Sequence, residues 1–211
     1  QVMAISTYSE LKTSIANFLN RSDLDSVIPD FISLAEAQIN RDVRHWEMEE
    51  RSSGQQDPGD QYMQVPADWL ETIRLHLTGS GTSTLELASL SAIADKRQNN
   101  DDITGKPRFY AHVRGEFELY PTPDDTYDFE LLYYKKIPAL SDSTTTNWLL
   151  DYAPDVYLYG SLIHSAPYLQ EDERLQLWSQ LYAAAVVNLN TQSERVKNSG
   201  TGIRLNIRGL G

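Results

Sequence analysis

The side chains that could do chemistry in this chain are few and scattered. Its 211 residues include four histidines, His45, His76, His112 and His164, and no cysteine. A nucleophilic triad needs a base within hydrogen-bond reach of the nucleophile and a third group to orient that base. None of the histidines lies in such a motif and no serine sits in a G-x-S-x-G turn, so triad hydrolysis is not expected. His76 and His112 read as exposed strand positions, His45 and His164 as helix surface or interface. Paired carboxylates can serve a glycosidase, whose two acids stand about 5–10 Å apart. Asp101–Asp102, Asp124–Asp125 and Glu171–Asp172–Glu173 are of the right type. Each falls in a turn or at a helix start, where carboxylates cap backbone amides or stay solvated. Gly105–Lys106 resembles the end of a phosphate-binding loop, but Pro107 replaces its Ser or Thr and Asn100 its first glycine. Gly79-Ser-Gly81 lies between strands and reads as a hairpin loop. Asp23-Leu-Asp25 lacks the further ligands of a calcium loop. No catalytic residue, cofactor or metal site is expected.

Aromatic side chains are the remaining candidates. Tyr133, Tyr134, Trp148, Tyr152, Tyr157 and Tyr159 are dense enough to stack on sugars or bases. The preferred reading is that they are core where helices meet a β segment, or anchors of a subunit interface, where Tyr and Trp are enriched.

Charge narrows the partners. The 30 acidic side chains all precede residue 195, together with 14 of the 18 basic ones, so residues 1–194 carry −16. Arg195, Lys197, Arg204 and Arg208 then supply four positive charges without an acid among them. An acidic body repels phosphates at long range, which argues against sequence-specific nucleic-acid binding. An acidic body with a basic tail suits docking on another protein. No apolar run approaches the roughly 18 residues of a membrane span, so no membrane partner is expected. No basic segment with an apolar run and a cleavage site opens the chain, so no secretory signal is expected. The absence of cysteine fits assembly in a reducing compartment.

The elements that must position these residues follow from periodicity. Tyr8, Leu11, Ile15, Phe18 and Leu19 recur at helical spacing behind a Thr7–Glu10 capping box. Asn20 to Asp25 ends that helix. Ile28, Phe31, Ile32, Ala35, Ile39 and Val43 form the stripe of a second, with Pro29 in its first turn. Ser53 to Asp60 reads as a loop. Ile73, Leu75 and Leu77 then alternate with Arg74 and His76, as a strand requires. A hairpin follows from Arg108 through Gly115 to Tyr120, and another strand at Tyr127 to Tyr133. Leu87 to Lys96 reads as a short helix, Asn99 to Thr104 as a loop. Tyr157, Leu158, Ser161, Leu162 and Ser165 mark a third long helix, broken by Pro167. Asp172 can cap the last, whose stripe is Leu175, Trp178, Leu181, Tyr182, Ala185 and Leu189. The expectation is an α+β fold: a four-helix bundle (residues 1–47 and 147–195) with an inserted antiparallel β-rich domain (48–146) and an extended arm (196–211).

The order of these features resembles the head-to-tail adaptor, or connector, proteins of tailed bacteriophages. The residues that carry it are Ile39-Asn-Arg-Asp-Val43, Tyr62-Met-Gln-Val-Pro-Ala-Asp-Trp-Leu-Glu71, Glu118-Leu-Tyr-Pro-Thr-Pro123 and Phe129-Glu-Leu-Leu-Tyr-Tyr-Lys-Lys-Ile-Pro-Ala-Leu140. Asn147-Trp-Leu-Leu, Pro154-Asp-Val-Tyr-Leu-Tyr-Gly160 and Ala166-Pro-Tyr-Leu169 complete the pattern, which reaches about Leu189. The resemblance implies a structural virion protein at the neck, with no catalytic residue. It implies a ring of twelve copies with the portal above, tail or nozzle and stopper proteins below, and DNA passing through. In the arm, Ile203, Leu205 and Ile207 alternate with Arg204, Asn206 and Arg208, the pattern of a strand that adds to another sheet edge. The portal or a neighbouring subunit could receive it, and the portal is preferred. A virion carbohydrate-binding or lytic, glycosidase-like protein is the alternative reading.

Overall fold

In a computed structural model of the chain, residues 5–79, 83–99, 103–169 and 173–199 are described. The fold is α+β. Its α-helices are α1 (Tyr8–Leu19), α2 (Ile28–Asp42), α3 (Leu90–Asn99), α4 (Trp148–Tyr152), α5 (Pro154–His164) and α6 (Arg174–Asn198). Its strands are β1 (Glu49–Gln56), β2 (Tyr62–Gln64), β3 (Trp69–Leu77), β4 (Ser83–Thr84), β5 (Glu86–Leu87), β6 (Phe109–Val113), β7 (Glu116–Tyr120) and β8 (Tyr127–Lys135). Two compact units result: residues up to 47 together with those from 137 onward, and residues 48–136. Residues 137–146, read from sequence with the β segment, run with the helices.

The helical unit starts at the capping box. The Thr7 hydroxyl accepts the Glu10 N–H at 3.3 Å, and the Glu10 carboxylate accepts the Thr7 N–H at 3.0 Å. Asn20 closes α1 with φ +54°, a left-handed conformation that asparagine tolerates. Phe18, expected on the buried stripe, is exposed, while Leu11, Ile15 and Leu19 are buried. Helix α2 buries Ile28, Phe31, Ile32, Ala35 and Ile39. Packing centres on α5, which touches α1, α2, α4 and α6. Gly160 permits this: a Cβ there would stand 3.4 Å from that of Ala35 on α2 and 3.3 Å from the Tyr182 ring on α6. Helix α6 buries Trp178, Tyr182, Val186 and Leu189. Leu181, expected mid-stripe, is 36% exposed. The expected cap Asp172 lies outside the described residues, as does the arm Ile203, Arg204, Leu205, Asn206, Ile207 and Arg208.

A buried polar network fixes residues 137–147 on these helices. Asn40 accepts the Ile137 N–H at 2.9 Å, and Glu36 accepts the Leu140 N–H at 2.7 Å. Asn147 donates to the Pro138 carbonyl at 2.8 Å and to the Tyr157 hydroxyl at 2.7 Å, and its oxygen caps α4 at the Leu150 N–H. Burial pushes the Glu36 carboxyl above its ordinary 4.5, against the lowering effect of its hydrogen bonds. A raised folded value favours the protonated form in the fold. The resulting stabilisation is fully present below pH 4.5 and is lost as pH rises through the raised value. Glu36→Gln keeps an oxygen for the Leu140 N–H and removes the buried charge. Its thermal midpoint at pH 7 should equal or exceed the parent's, and the difference should close below pH 4.5. A variant less stable than the parent only at pH 7 would show that the charge stabilises the fold.

The second unit is two facing sheets, ordered β1-β8-β3-β4 and β2-β7-β6-β5. Pairing is antiparallel except between β5 and β6, which run parallel, a departure from the all-antiparallel expectation. Leu75, Leu77, Leu131 and Tyr133 of one sheet pack on Met63, Tyr110, Phe117 and Leu119 of the other. The alternate positions Ala111 and Tyr120 face outward and are covered by Ile93 of α3. The second half of strand β1, from Ser53 to Gln56, occupies residues read from sequence as the start of a loop. The strand is polar, but pairs with β8 along its full length, and Gly54 leaves room for the Phe129 ring, 2.9 Å from where a Cβ would stand. In β3 the alternation breaks at register shifts on either side of Thr72. Ile73, at one of these shifts, is 40% exposed, whereas Leu75 and Leu77 are buried as the alternation requires; His76, expected to be exposed, is only 8% exposed on the opposite face.

Candidate interaction site

The histidines occupy four separate environments. His76 sits on the outer face of its sheet, with Nε2 3.7 Å from Glu130, which Arg51 and Arg74 also approach. His112 is exposed, as expected, and stacks on Trp69 at 4.5 Å between ring centroids. His164 Nε2 lies 3.0 Å from the Gln38 side-chain oxygen, and burial, aided by the Arg41 charge, lowers its pKa. His45, expected at a helix surface or interface, is buried in the segment after α2, outside any α-helix, and its Nδ1 accepts the Glu47 N–H at 3.3 Å.

Asp124, Asp125 and Asp23 have local structural roles, while Glu173 precedes α6 without a side-chain cap hydrogen bond. Asp124 accepts a 2.6 Å hydrogen bond from Tyr127, whose pKa rises to about 12 in consequence. Asp125 accepts the Thr126 N–H. Asp23 is engaged by Arg21 through both carboxylate oxygens, and this holds its pKa below the usual range. The Gly105 N–H donates to the Thr122 carbonyl, so that turn is tied to β-structure and no helix follows it. Asp101, Asp102, Glu171 and Asp172 lie outside the described residues. Among the described residues, no group of three or more His, Asp or Glu is placed to hold a metal ion. No helix there is long and apolar enough to cross a membrane.

The dense aromatics separate into three environments. Tyr133 belongs to the β-sandwich core and Tyr157 to the helical core. Tyr133 donates to Asp68 at 3.0 Å, and burial with that bond pushes its pKa up to about 12. Tyr134 and Tyr159 are half-buried. Trp148 and Tyr152 join a group that sequence alone did not assemble: with His45, Trp46, Glu47 and Asp151 they line a cleft of about 300 Å³ in the helical unit. The His45 ring stacks on Trp148 at 4.9 Å and 16°, and lies 5.4 Å from Trp46 and 5.6 Å from Tyr152. Trp46 is 40% exposed and Tyr152 59%. The Asn147 cap starts α4 and so projects Trp148, Asp151 and Tyr152 from a single short helix. Helix α6 backs the cleft: the Trp46 N–H donates to Ser193 Oγ at 2.9 Å, and the Tyr152 hydroxyl to Gln192 at 2.9 Å. Two larger depressions along α1, of about 370 and 390 Å³, share Ala16, Asn17 and Asp25 and contain no aromatic side chain.

Large aromatic faces left in solvent beside a tightly packed core mark a protein that works through contacts with other proteins. The chain belongs to the SU10 adaptor protein family, a family of bacteriophage head-tail adaptors, whose model matches residues 6–204. It is a structural adaptor of a phage virion. The match extends past Leu189, where the resemblance in residue pattern ends, and takes in Ile203 and Arg204. No curated protein matches the chain.

Proposed function

We propose that this protein assembles as a ring of twelve copies beneath the portal and links the phage head to tail or nozzle and stopper proteins, without catalysis. Its helical unit acts as a four-helix bundle of α1, α2, α5 and α6, and the segment Ile203–Arg208 docks on the portal. Family membership supports the adaptor role. The observation that carries ring assembly is an apolar stripe on the outer face of α6. Leu177, Leu181 and Ala184 recur at steps of four and three, exposed, beside the face that buries Tyr182 and Val186. Such an exposed apolar stripe fits contact between copies better than solvent.

Electron microscopy of the protein mixed with its portal should show twelvefold density below the portal. Deleting residues 199–211 should leave a folded protein that no longer assembles there, and Leu181→Glu should remove copy-to-copy contacts. Complete rings from both variants, with unchanged affinity for the portal, would refute the reading. A glycan-binding reading draws on one observation: the cleft sets Glu47 and Asp151 beside three aromatic rings. Peptidoglycan turnover by the purified protein, abolished by Asp151→Asn, would establish it instead.

A further inference from the structure

The cleft lies beside the point where α6 gives way to the end of the chain. Ser193 touches the Trp46 backbone and Gln192 the Tyr152 hydroxyl. Helix α6 ends at Asn198. At 1.5 Å per residue, Ser199 stands roughly 9 Å further along the axis than Ser193. The next residues are Gly200-Thr-Gly202, whose two glycines allow a reversal at little steric cost. From Gly202 an extended chain covers roughly 16 Å in the five steps to Ile207, at about 3.3 Å each. That is enough to return past the level of Ser193.

The chemistry of the two partners also matches. The cleft presents the rings of Trp46, Trp148 and Tyr152, with the carboxylates of Glu47 and Asp151 among its lining residues. Ile203, Leu205 and Ile207 fall on one side of an extended segment, and Arg204 and Arg208 on the other. Apolar side chains can cover the rings while the two guanidiniums reach the two carboxylates or stack on ring edges. A tethered segment meets its own site at an effective concentration in the millimolar range, far above that of a second copy in dilute solution.

We propose that in the free subunit the segment Ile203–Arg208 occupies the aromatic cleft of its own chain. The proposal deepens the docking-arm reading and rests on it only in treating this segment as one that binds. The segment thereby covers the exposed rings of Trp46 and Tyr152 in the free subunit.

Because the chain has no cysteine, Asn206→Cys labelled with bimane places one probe on the segment of the full-length protein. Tryptophan quenches bimane at contact distance. Emission should be several-fold lower than in the unfolded chain, independent of protein concentration across the range where the protein is monomeric. Trp46→Phe, or Glu47→Gln with Asp151→Asn, should restore most of it. Circular dichroism would verify that each variant is folded. Emission unaffected by these substitutions would overturn the proposal. Quenching that grows with protein concentration would place the segment on a second copy and overturn the assignment to its own chain. Both outcomes are read without portal, so they leave the ring-assembly test independent.

Discussion

Trp178→Ala is expected to destabilise the protein by about 3–5 kcal/mol, the usual cost of emptying an aromatic site in a close-packed core. Trp178 is 4% exposed, on the face of α6 that also buries Tyr182, and the Arg174 guanidinium lies 5.1 Å from its ring. Truncation removes the packing and a cation–π contact together. Tyr182 cannot swing into the void, because its hydroxyl is bound to Asp42 at 2.9 Å and its ring rests on Gly160. Leu181→Ala, one residue away, should change stability by no more than about 0.5 kcal/mol, as at most surface positions. Urea unfolding of both variants at a concentration that keeps the protein monomeric would decide it. Equal midpoints for the two would show that α6 is rotated from the face assigned to it.

That pair of residues also shows what periodicity can and cannot tell. Leu175, Trp178, Leu181 and Leu189 all fit a broad helical stripe, and spacing alone does not say where the buried arc stops. The arc is centred on Trp178, Tyr182, Val186 and Leu189, so Leu181 falls beyond its edge while remaining apolar. Local signals were easier to read. The Thr7–Glu10 box depends on two residues three apart, and the β6–β7 hairpin on Gly115, whose φ of +80° suits glycine. Strand β1 was hidden because nothing in Glu-Glu-Arg-Ser-Ser-Gly-Gln-Gln favours a strand. Its conformation comes from pairing with β8, about eighty residues away. In β3 the inward face of Leu75 and Leu77 was legible but Ile73 was misplaced, because a register shift beside it changes which residue points inward and a bulge leaves no mark in an alternation of types.

The candidate site was half legible for a related reason. Trp148 and Tyr152 stood out in a dense aromatic stretch, but the rings that complete the cleft, His45 and Trp46, are a hundred residues earlier in the chain. They reach it because Val43 is buried and Asn190 and Ser193 of α6 hydrogen-bond the backbone of Arg44 and Trp46. The polar spacing Asn190-x-x-Ser193, facing inward on a helix, is the one signal that could have revealed this docking.

Removing the Arg97 guanidinium is the second large effect expected, because α3 has little else to hold it. Ile93 is the helix's one buried residue, and the apolar cluster it makes with Ala111 and Tyr120 is small. Arg97 compensates. Its Nε lies 3.2 Å from Glu118, Nη1 donates to Thr122 and Nη2 to the Leu119 carbonyl, each at 2.9 Å, and the group sits over the Tyr120 ring. Arg97 and Glu118 are 15% and 17% exposed, so the pair is largely shielded from water. Desolvation makes an intact pair of this kind worth little over an apolar replacement, yet breaking one costs about 3–5 kcal/mol because a charge is stranded. Arg97→Met should therefore fall in that range, with enhanced proteolysis in α3. Adding Glu118→Leu should recover much of the loss, short of the part due to Thr122 and the Leu119 carbonyl. A single variant within about 0.5 kcal/mol of the parent in urea unfolding, or a double variant no better than the single, would mean that apolar contact rather than this clamp attaches α3 to the sheet.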